Sequence, residues 1–589
     1  MASFFLFLSI PLCNASLFGG NASLSGAKTF DPLIWNALLH YRNNKLYIED
    51  ENFVLSGSDF SPQNEWNATL LAFQENPSTI CRFPARFIYM SSVLPPGTLI
   101  ETPLCPGFEE FLRKAPAEEI SIVYASENLT NPSSMMGHGM LALEGARDDG
   151  RIVRHSVSFF TELDSLNPFD VIWETLIVGK AGYFLVKPLR NHYEFYNLHE
   201  QRNVWKYVLN LSAKERQLVQ AHLWELKFPD LQYLFHEHNC ATLTLDILRT
   251  VRPSLSASSW VSPIDLAKAV HKEGMIASSE VTPSAKWRVR MLTEISNKDI
   301  AENVREWSHG TEELKDVGGT DEYLQHQLAY AVLEYGLQTG ILSKKEKLDK
   351  QVQLDGLGLD TDAELDLAKY RSPLKTPEDS QISVGWLRSG DERWMTIDWL
   401  PASHGIEDDN RQYFSENELR LSDVSLKLSL DEPKVKLHRW QLYSARSLTP
   451  RESVTGGLSG GFRVGFYSVY NKLFQEQLNF EISGGLGVTY AFGADFRLYS
   501  LLNLGGFYRR DNDGFYLEPE LGGYLYEIWD MKSWLRYKPR ITNTMNTQHK
   551  VLLTHTLSFH GSAIILDAEY LRQKSRTRNS TKISWRYYF

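Results

Sequence analysis

The sequence has no hydrophobic run long enough to cross a membrane as a helix. Its most apolar stretch, Ala2 to Leu12, falls well short of the roughly 20 residues that a spanning helix needs. Its place at the start of the chain, ahead of small residues, is typical of a secretory signal peptide. We therefore predict a signal peptide over residues 1–16 and export of the rest. Cys13 would leave with it, because the residues before it lack the small side chains of a lipoprotein cleavage site.

Positive charge is also scarce. The 61 lysines and arginines are outnumbered by 72 acidic residues, and the formal net charge is −11. Proteins that bind nucleic acid usually carry a basic patch, so we do not expect a nucleic-acid partner. At roughly 100 to 200 residues per domain, the length predicts several domains.

The C-terminal part of the chain, from Asp379 onward, alternates polar and apolar residues in about twelve runs, a pattern that indicates antiparallel strands. The last run places Ile583, Trp585, Tyr587 and Phe589 at alternate positions. Turn-like residues separate the runs, and no helical period interrupts them.

Two architectures fit these strands, a soluble β-sandwich and an outer-membrane barrel. Long strands, aromatic residues near their ends and the terminal Phe589 favour the barrel. The terminal strand also resembles the signal read by the barrel-insertion machinery of Gram-negative bacteria, which makes that machinery an expected partner. We predict an all-β antiparallel barrel of about 12 strands in the outer membrane. An even strand number returns both ends to the periplasmic side, where we also expect the short turns.

Cysteine is rare, with four residues in the whole chain. Cys81 and Cys105 lie in a segment rich in proline and turn residues, and in an oxidising periplasm we expect them to form a disulfide. Cys240 is left without a partner. Such a thiol is either buried and inert or reactive.

Changes in composition and residue pattern along the chain predict five segments. They are a signal peptide (1–16), a helical or mixed N-terminal domain (17–115), a domain that holds Cys240 (116–275), a helical region with an acidic linker (276–378) and the barrel (379–589).

Cys240 follows Asn239 and opens a helical pattern. If Asn239 caps that helix, the helix dipole and the unpaired N–H groups favour a thiolate, which predicts a low pKa for the thiol. The same N–H groups could face an oxyanion.

The base that a thiol nucleophile needs has several candidates. His236 and His238 are close in sequence and could also form a metal-ligand set with Cys240, but no fourth ligand is visible and we expect no metal. His138 opens a strand after a flexible loop and has small neighbours, so it is the better candidate.

Four motifs carry a family resemblance: CRFPARF at Cys81–Phe87, NPSSMMGHGML at Asn131–Leu141, EQRNVWKYVLNL at Glu200–Leu211 and HNCATLTLDIL at His238–Leu248. In combination they resemble the Lnb N-terminal periplasmic domain family, which is similar to the NlpC-like and lecithin:retinol-acyltransferase-like branch of papain-fold enzymes. The resemblance covers about Ala27 to Ser254. It implies an α+β papain-like domain in permuted order, with helical additions, in which Cys240 is the nucleophile and His138 the base.

The residue that would orient the imidazole is undecided between His155 and Ser158. Both lie on the strand that follows His138, and the hairpin is expected to place Ser158 nearly opposite His138.

Three residues are candidates for contact with a substrate. Arg202 could bind an anionic head group or form a structural ion pair, and Asn131 and Asn239 are polar residues beside the expected histidine and cysteine.

The resemblance extends to lipoprotein N-acyltransferases that share this domain, and it implies thioester chemistry. Cys240 would take an acyl group from a phospholipid or lipoprotein, and an amine or water would remove it. Two alternatives remain open: a periplasmic amidase or peptidase of the NlpC-like kind, and a non-enzymatic outer-membrane assembly or transport protein. No cofactor is expected.

Overall fold

The computed structural model describes residues 30–99, 103–127, 136–162, 174, 178–257, 260–315, 317, 319–356, 371–413, 416–510, 512–544 and 546–589. The expected signal peptide with Cys13, the candidate Asn131 and most of the acidic linker lie outside these residues. The described chain divides into a mixed N-terminal region (30–356) and an all-β C-terminal region.

The N-terminal region is built on an antiparallel sheet of seven strands. A short hairpin, β1 (Tyr41–Arg42) and β2 (Lys45–Leu46), precedes it. The sheet strands are β3 (Glu119–Ala125), β4 (His138–Ala146), β5 (Ile152–Phe160), β6 (Lys180–Pro188), β7 (Val204–Leu209), β8 (Leu231–Tyr233) and β9 (Ile276–Thr282). Their spatial order is β8-β6-β5-β4-β3-β7-β9.

Helices cover this sheet and extend beyond it. They are α1 (Pro32–Leu38), α2 (Pro62–Glu75), α3 (Thr79–Arg82), α4 (Pro84–Val93), α5 (Pro106–Lys114), α6 (Leu189–Tyr193), α7 (Ala213–Glu225), α8 (Cys240–Arg249), α9 (Pro263–Lys272), α10 (Ala285–Ile295), α11 (Lys298–Ser308), α12 (Gly319–Gln338) and α13 (Lys344–Asp355). A π-helical turn, Glu194–His199, continues α6, and a 3-10 turn, Pro373–Lys375, precedes the barrel. Ser212 caps α7 in a capping box with Glu215.

One hydrophobic core joins the first two predicted domains. It runs from Trp35 and Phe53 through Ile122 of the sheet to Leu245 of α8 and Met275. The division expected at residue 115 is therefore not a boundary in packing. The disulfide predicted between Cys81 and Cys105 is present and ties α3 to the start of α5.

The helical region that follows has its own smaller core, formed by Val289, Ile300, Trp307 and Leu333 among others. It does not begin at residue 276 as expected, because Ile276–Thr282 is the edge strand β9 and pairs with β7. Within the described residues, no helix is both long enough and apolar enough to cross a bilayer.

The C-terminal region is a closed antiparallel barrel. Its strands are β10 (Gln381–Ser389), β11 (Glu392–Leu400), β12 (Ala402–His404), β13 (Asn417–Ser429), β14 (Val435–Ser447), β15 (Ser459–Tyr470), β16 (Glu476–Phe492), β17 (Phe496–Arg509), β18 (Asn512–Tyr526), β19 (Met531–Thr542), β20 (Gln548–Phe559), β21 (Ser562–Gln573) and β22 (Arg576–Tyr588). β12 continues β11 after Pro401, so the wall has twelve strands. Pairing of β10 with β22 and of β11 with β13 closes it. The predicted strand number is confirmed.

The strand period of two separates the two faces of the wall. Along β22, the side chains of Ile583, Trp585 and Tyr587 are 45 to 50% exposed, whereas Ser584 between them is buried. An apolar outer face with a polar interior is the arrangement of a membrane barrel. Gln381 pairs with Tyr588, so both ends of the barrel lie on one side, as predicted.

Paired charges fill the lumen. Arg540 contacts Glu481 at 2.7 Å, and Arg446 contacts Glu520 at 2.9 Å. Both carboxylates are fully buried. Buried charges are tolerated when they are paired and hydrogen-bonded, and this network leaves the interior occupied by side chains.

A loop between β12 and β13 closes the end of the barrel where the chain enters. This inserted loop (405–413) reaches into the lumen, where Glu407 pairs with Arg420 at 2.5 Å and Asp408 pairs with Arg586 at 2.5 Å. Ile406 packs against lumen side chains that include Tyr499 and Trp534.

The turn lengths differ from the sequence-based expectation. The two longest connections, 405–416 and 448–458, lie on the side of the terminal strand, whereas the turns on the opposite side are short, such as 390–391, 430–434 and 574–575. The expectation that only short turns accompany the terminal strand is wrong. Both long connections have a structural role at that end, because one enters the lumen and the other contacts the N-terminal region.

A filled lumen predicts that the native protein does not conduct ions like an open porin. In planar bilayers we expect no steady open-channel current from the full chain. Removal of residues 405–413 should produce one, because the inserted loop occupies the entrance. Asp431→Asn, in an exposed turn at the other end, is the matched control and should stay closed. A steady current from the native protein would contradict the filled lumen.

Candidate thiol site

The helix that carries Cys240 begins where the sequence predicts. Asn239 is its N-cap, and the Asn239 carboxamide oxygen accepts hydrogen bonds from the backbone N–H groups of Ala241 (2.8 Å) and Thr242 (2.9 Å). The amide nitrogen of Asn239 donates to the carbonyls of Phe235 (2.9 Å) and Val261 (3.0 Å). The polar atoms of this side chain are thus engaged within the protein, so the structure gives Asn239 a capping role and leaves it little capacity to bind a substrate.

The Cys240 thiol is buried at the start of α8, with 6% of the residue exposed. Burial raises the pKa of this thiol, although the N–H groups of Gly139, Ala241 and Cys240 itself and the charge of Arg202 act in the opposite direction. The predicted low pKa is therefore wrong for the resting protein, because loss of hydration outweighs the helix terminus.

His138 begins β4, immediately before the glycine whose N–H faces the sulfur. Its ring centroid lies 6.0 Å from that of Tyr196. Burial, together with the nearby charges of Arg202 and His192, lowers the pKa of His138 to about 3. The imidazole is therefore neutral at pH 7.

Cys240 and His138 share two neighbours. Arg202 acts electrostatically on both groups, and Tyr196 lies near both the ring of His138 and the thiol of Cys240. In the described residues, however, no hydrogen bond joins the thiol to the imidazole, and strand alternation turns His138 to the same face as Met140 and Ala142, away from the core beneath α8. The structure brings the two residues into one neighbourhood without direct contact.

Arg202 is fully buried and has structural partners. Its guanidinium donates to the carbonyl of Ala125 (2.7 Å), pairs with Glu200 (2.7 Å) and stacks over the ring of Tyr196 (4.7 Å to the centroid). These contacts favour the ion-pair interpretation over direct binding of a head group, and they hold a positive charge beside the thiol.

The two candidates for orienting the imidazole occupy different places. Ser158 is buried, and the register that pairs Leu141 with Val157 extends to place Ser158 beside Met140, two residues from His138 on the same face. Its hydroxyl has no hydrogen-bond partner among the described residues. His155 pairs with Leu143, five residues along β4 from His138. At roughly 3.4 Å per residue, that separation keeps His155 away from the thiol.

The two histidines nearest to Cys240 in sequence have other neighbours. The Nδ1 atom of His238 bonds the Gln232 carbonyl at 2.6 Å, and its ring lies against Phe159. His236 is partly exposed and contacts Glu237 at 3.5 Å. In the described part of the chain, no cluster of three or more metal-ligating side chains is present.

A buried polar network behind α8 has no counterpart in the sequence-based prediction. Asp246 on α8 contacts Arg249 at 2.9 Å and Arg42 at 3.3 Å. His40 lies 3.9 Å from the same carboxylate, and its other ring nitrogen is 3.0 Å from His222. The signal in the sequence for such a network was an aspartate placed directly between Leu245 and Ile247.

The thiol site also contacts the barrel. Met136, Phe235 and Trp260 pack against Ala402, Leu419, Leu421, Tyr443 and Ala445, and we call this set the contact cluster. Met136 precedes His138 by two residues, and the segments that carry Phe235 and Trp260 are joined at the Asn239 side chain. The apolar edge formed by Met136, Phe235 and Trp260, which we call the mouth of the site, therefore faces the barrel.

Further contacts join the N-terminal region to the segment that leads into the barrel and to a barrel loop. Lys268 donates to the Pro377 carbonyl at 2.6 Å, and Arg371 pairs with Glu294 at 2.8 Å, both ahead of β10. In the loop 448–458, Gly456 accepts a hydrogen bond from Arg290 at 2.6 Å, and Val454 packs on the helical core.

Three family models match the chain. Residues 107–273 match the Lnb N-terminal periplasmic domain, and residues 31–93 and 371–588 match two domains of unknown function (DUF7843 and DUF7840). No curated protein matches the chain significantly.

Solved structures of outer-membrane porins and channels match about a third of the chain. The NanC porin is 9% identical, with 35% of this chain and 98% of that chain covered at a TM-score of 0.23. The anion-selective porin from Comamonas acidovorans is 10% identical (36% and 98% covered, TM-score 0.19), and the outer membrane channel DcaP of Acinetobacter baumannii is 5% identical (36% and 96% covered, TM-score 0.19). At these values the likeness carries no argument, and the barrel is established by its own strand pairing.

A closed antiparallel barrel with an apolar outer face defines an outer-membrane protein. Its N-terminal region lies in the periplasm. Within that region, residues 107–273 match the model of the Lnb N-terminal periplasmic domain, which supports the resemblance seen in the sequence for this part of the chain; the motif at Cys81–Phe87 lies outside the match, in the residues that match DUF7843.

The raised pKa of Cys240 predicts how the thiol reacts. Its alkylation by iodoacetamide should be slow at pH 7 and should rise through pH 9, because the thiolate is the nucleophile. Arg202→Gln should slow alkylation at pH 8 by about threefold to tenfold, since one pKa unit is tenfold in thiolate. Arg202→Lys, which keeps the charge, should restore the rate.

Arg190→Gln is the control for that series, because Arg190 is an exposed arginine paired with Glu194. It should leave the pH profile unchanged. A rate that is already maximal at pH 6 would show a thiolate in the resting protein and would contradict the assignment.

The buried network predicts that Asp246 stabilises the position of α8. Asp246→Asn should lower the free energy of unfolding by about 3 kcal/mol, because it leaves Arg42 and Arg249 short of a counter-charge. Denaturant unfolding of the full chain in detergent, followed by tryptophan fluorescence, would measure this loss. Glu110→Gln, in an exposed pair with Lys114, should change nothing.

The same carboxylate predicts an acid limit for the domain. Burial acts to raise the pKa of Asp246, but His40, Arg42 and Arg249 outweigh it and lower the pKa to about 2. Because the unfolded value is about 3.9, the stabilisation is complete above pH 4 and is lost as the pH falls toward 2. Unfolding curves of wild type and Asp246→Asn should therefore converge across that interval.

Proposed function

We propose that this outer-membrane protein is a thiol enzyme that transfers acyl groups through a thioester on Cys240. The observation that carries the proposal is the setting of the sulfur. It lies at a capped helix N-terminus and faces backbone N–H groups of two elements, in a site whose apolar mouth packs against the barrel. Donors of this kind stabilise an oxyanion, and an apolar mouth suits an acyl chain.

In the first half-reaction the Cys240 sulfur attacks the carbonyl carbon of a lipid ester. The new S–C bond forms as the ester C–O bond breaks. The thiol proton passes through the His138 imidazole to the departing alkoxide, which leaves as an alcohol. The products are S-acyl Cys240 and a lipid that has lost one acyl chain.

In the second half-reaction an amine or water attacks the thioester carbonyl. The C–S bond breaks, and the proton of the attacking group returns through His138 to the sulfur, which restores the thiol. An amine acceptor, such as a lipoprotein N-terminus, yields an amide, and water yields a fatty acid.

The electrostatics support a neutral resting pair. The protonated Cys240 thiol and the unprotonated His138 imidazole are both uncharged, so neither group places an unpaired charge in the buried site. Because the two groups are not hydrogen-bonded at rest, the imidazole must approach the sulfur when substrate binds. Such tightening in the Michaelis complex is common among enzymes whose free form is loosely aligned.

Intact mass measures the proposed intermediate. Full-length protein incubated with phospholipid vesicles should gain the mass of one acyl chain, which hydroxylamine should remove. Cys240→Ala should gain none, and His138→Ala should load at least about a hundredfold more slowly, the usual scale for loss of a general base.

His155→Ala is the matched control, because His155 lies away from the thiol, and it should load at the wild-type rate. Protein that stays unacylated while Cys240 remains alkylatable would contradict the acyl-transfer proposal. Cleavage of a peptide amide by such protein would favour the amidase alternative.

A further inference from the structure

The contact cluster lies on the outside of the barrel wall. The pairing of β13 with β14 skips Ser422, which adopts a left-handed conformation at φ +59°, and Leu442. Below this irregularity Arg420 points inward to Glu407, so its neighbours Leu419 and Leu421 point outward. Tyr443 and Ala445 pair directly with them and face the same way.

This outer surface continues into the lipid-facing belt. Phe462 on β15 pairs with Ala445, its ring lies 6.0 Å from that of Tyr443, and 42% of the residue is exposed. Trp440 and Trp399 are outward-facing neighbours on β14 and β11, and they are 38% and 47% exposed. Unlike these three residues, Leu419 is only 2% exposed, because the N-terminal region covers it.

The interior offers no comparable path. Paired charges and the inserted loop occupy it, and an acyl chain there would displace buried ion pairs. The outer wall, by contrast, joins the hydrocarbon of the periplasmic leaflet to the mouth of the thiol site without a polar interruption among the residues named.

We infer that the outer face of β13–β15 docks an acyl chain of a glycerophospholipid from the periplasmic leaflet. The chain lies along Phe462 and Tyr443 and ends beneath Met136 and Trp260, which brings its ester to Cys240. The docking site is inferred from the packing of the barrel wall. Only the delivery of the ester to the Cys240 thiol depends on the proposed function. The barrel thereby serves as a lipid guide on its outer surface.

A photoactivatable phospholipid tests the docking site without any need for turnover. Full-length Cys240→Ser protein is placed in vesicles that contain a phosphatidylethanolamine with a diazirine on one acyl chain, and the labelled peptides are mapped. We expect adducts at Met136 or Trp260, which lie on the periplasmic side of the wall, as well as on the belt. Label confined to the belt, or label on lumen residues such as Trp534, would overturn the inference.

Competition distinguishes the possible occupants. Excess unlabelled phosphatidylethanolamine should remove the adducts at Met136 and Trp260. A diacylglyceryl lipopeptide that removes them at an equal concentration, where the phospholipid does not, would assign the surface to lipoproteins and overturn the phospholipid assignment.

A rate comparison then tests delivery to the thiol. Phe462→Ala should slow acylation of Cys240 from vesicles by roughly fivefold to tenfold, because the substitution removes the apolar contact between the phenylalanine ring and the acyl chain. Acylation from a water-soluble short-chain thioester should not change. Phe559→Ala, an exposed phenylalanine on β20 at the same end of the barrel, is the matched control.

Comparison of the vesicle donor with the soluble thioester donor distinguishes the docking site from the proposed acyl-transfer function. If both donors fail with the wild-type protein, the proposed function is wrong, and the crosslinking result still decides the docking site. If Phe462→Ala and Phe559→Ala behave alike with vesicles, the outer face of β13–β15 is not the route.

Discussion

The hydrogen bonds of one side chain organise the region on which the rest of the structure depends. Asn239 binds two N–H groups at the start of α8 and the carbonyls of Phe235 and Val261. It therefore fixes the thiol and two of the segments that contact the barrel with the same carboxamide. Loss of this cap would misplace the sulfur relative to Gly139 and would also loosen the apolar mouth, so site geometry and domain docking are coupled through one residue.

Two opposing effects set the state of the thiol. A helix N-terminus and a buried arginine favour the thiolate, and removal from water favours the thiol. Burial outweighs them in the resting protein, because Cys240 is almost completely removed from water at the start of α8. A thiol kept in its protonated form reacts slowly with solutes. Under the proposed function, it would react when an acyl chain brings a carbonyl beside N–H groups that are already in place.

The sequence predicts the features that depend on local periodicity. They include the alternation in β22, the strand number, the Asn239 cap and the pairing of Cys81 with Cys105, which follow from short-range pattern or simple elimination. Long-range packing is not visible in this way. Some features depend on which surfaces of the folded chain meet, and local residue spacing does not encode those contacts. They are the proximity of His40 to Asp246, the hydrophobic core shared across residue 115 and the long connections on the side of the terminal strand. The prediction of a low pKa for the Cys240 thiol was wrong for the same reason, since burial depends on tertiary packing.

The barrel shows why a periplasmic thiol site would be joined to a membrane wall. A lumen filled with paired charges offers no open channel through the wall, and the two longest connections lie at the periplasmic end. One closes the lumen, and the other holds the helical region in place through Arg290. Together with the contact cluster, they keep the mouth of the site against the outer face of β13–β15 rather than on a free tether. Under the proposed function, a fixed mouth would give a membrane lipid a single path and a defined orientation, and orientation is the part of an acyl-transfer barrier that binding can remove before any bond is made.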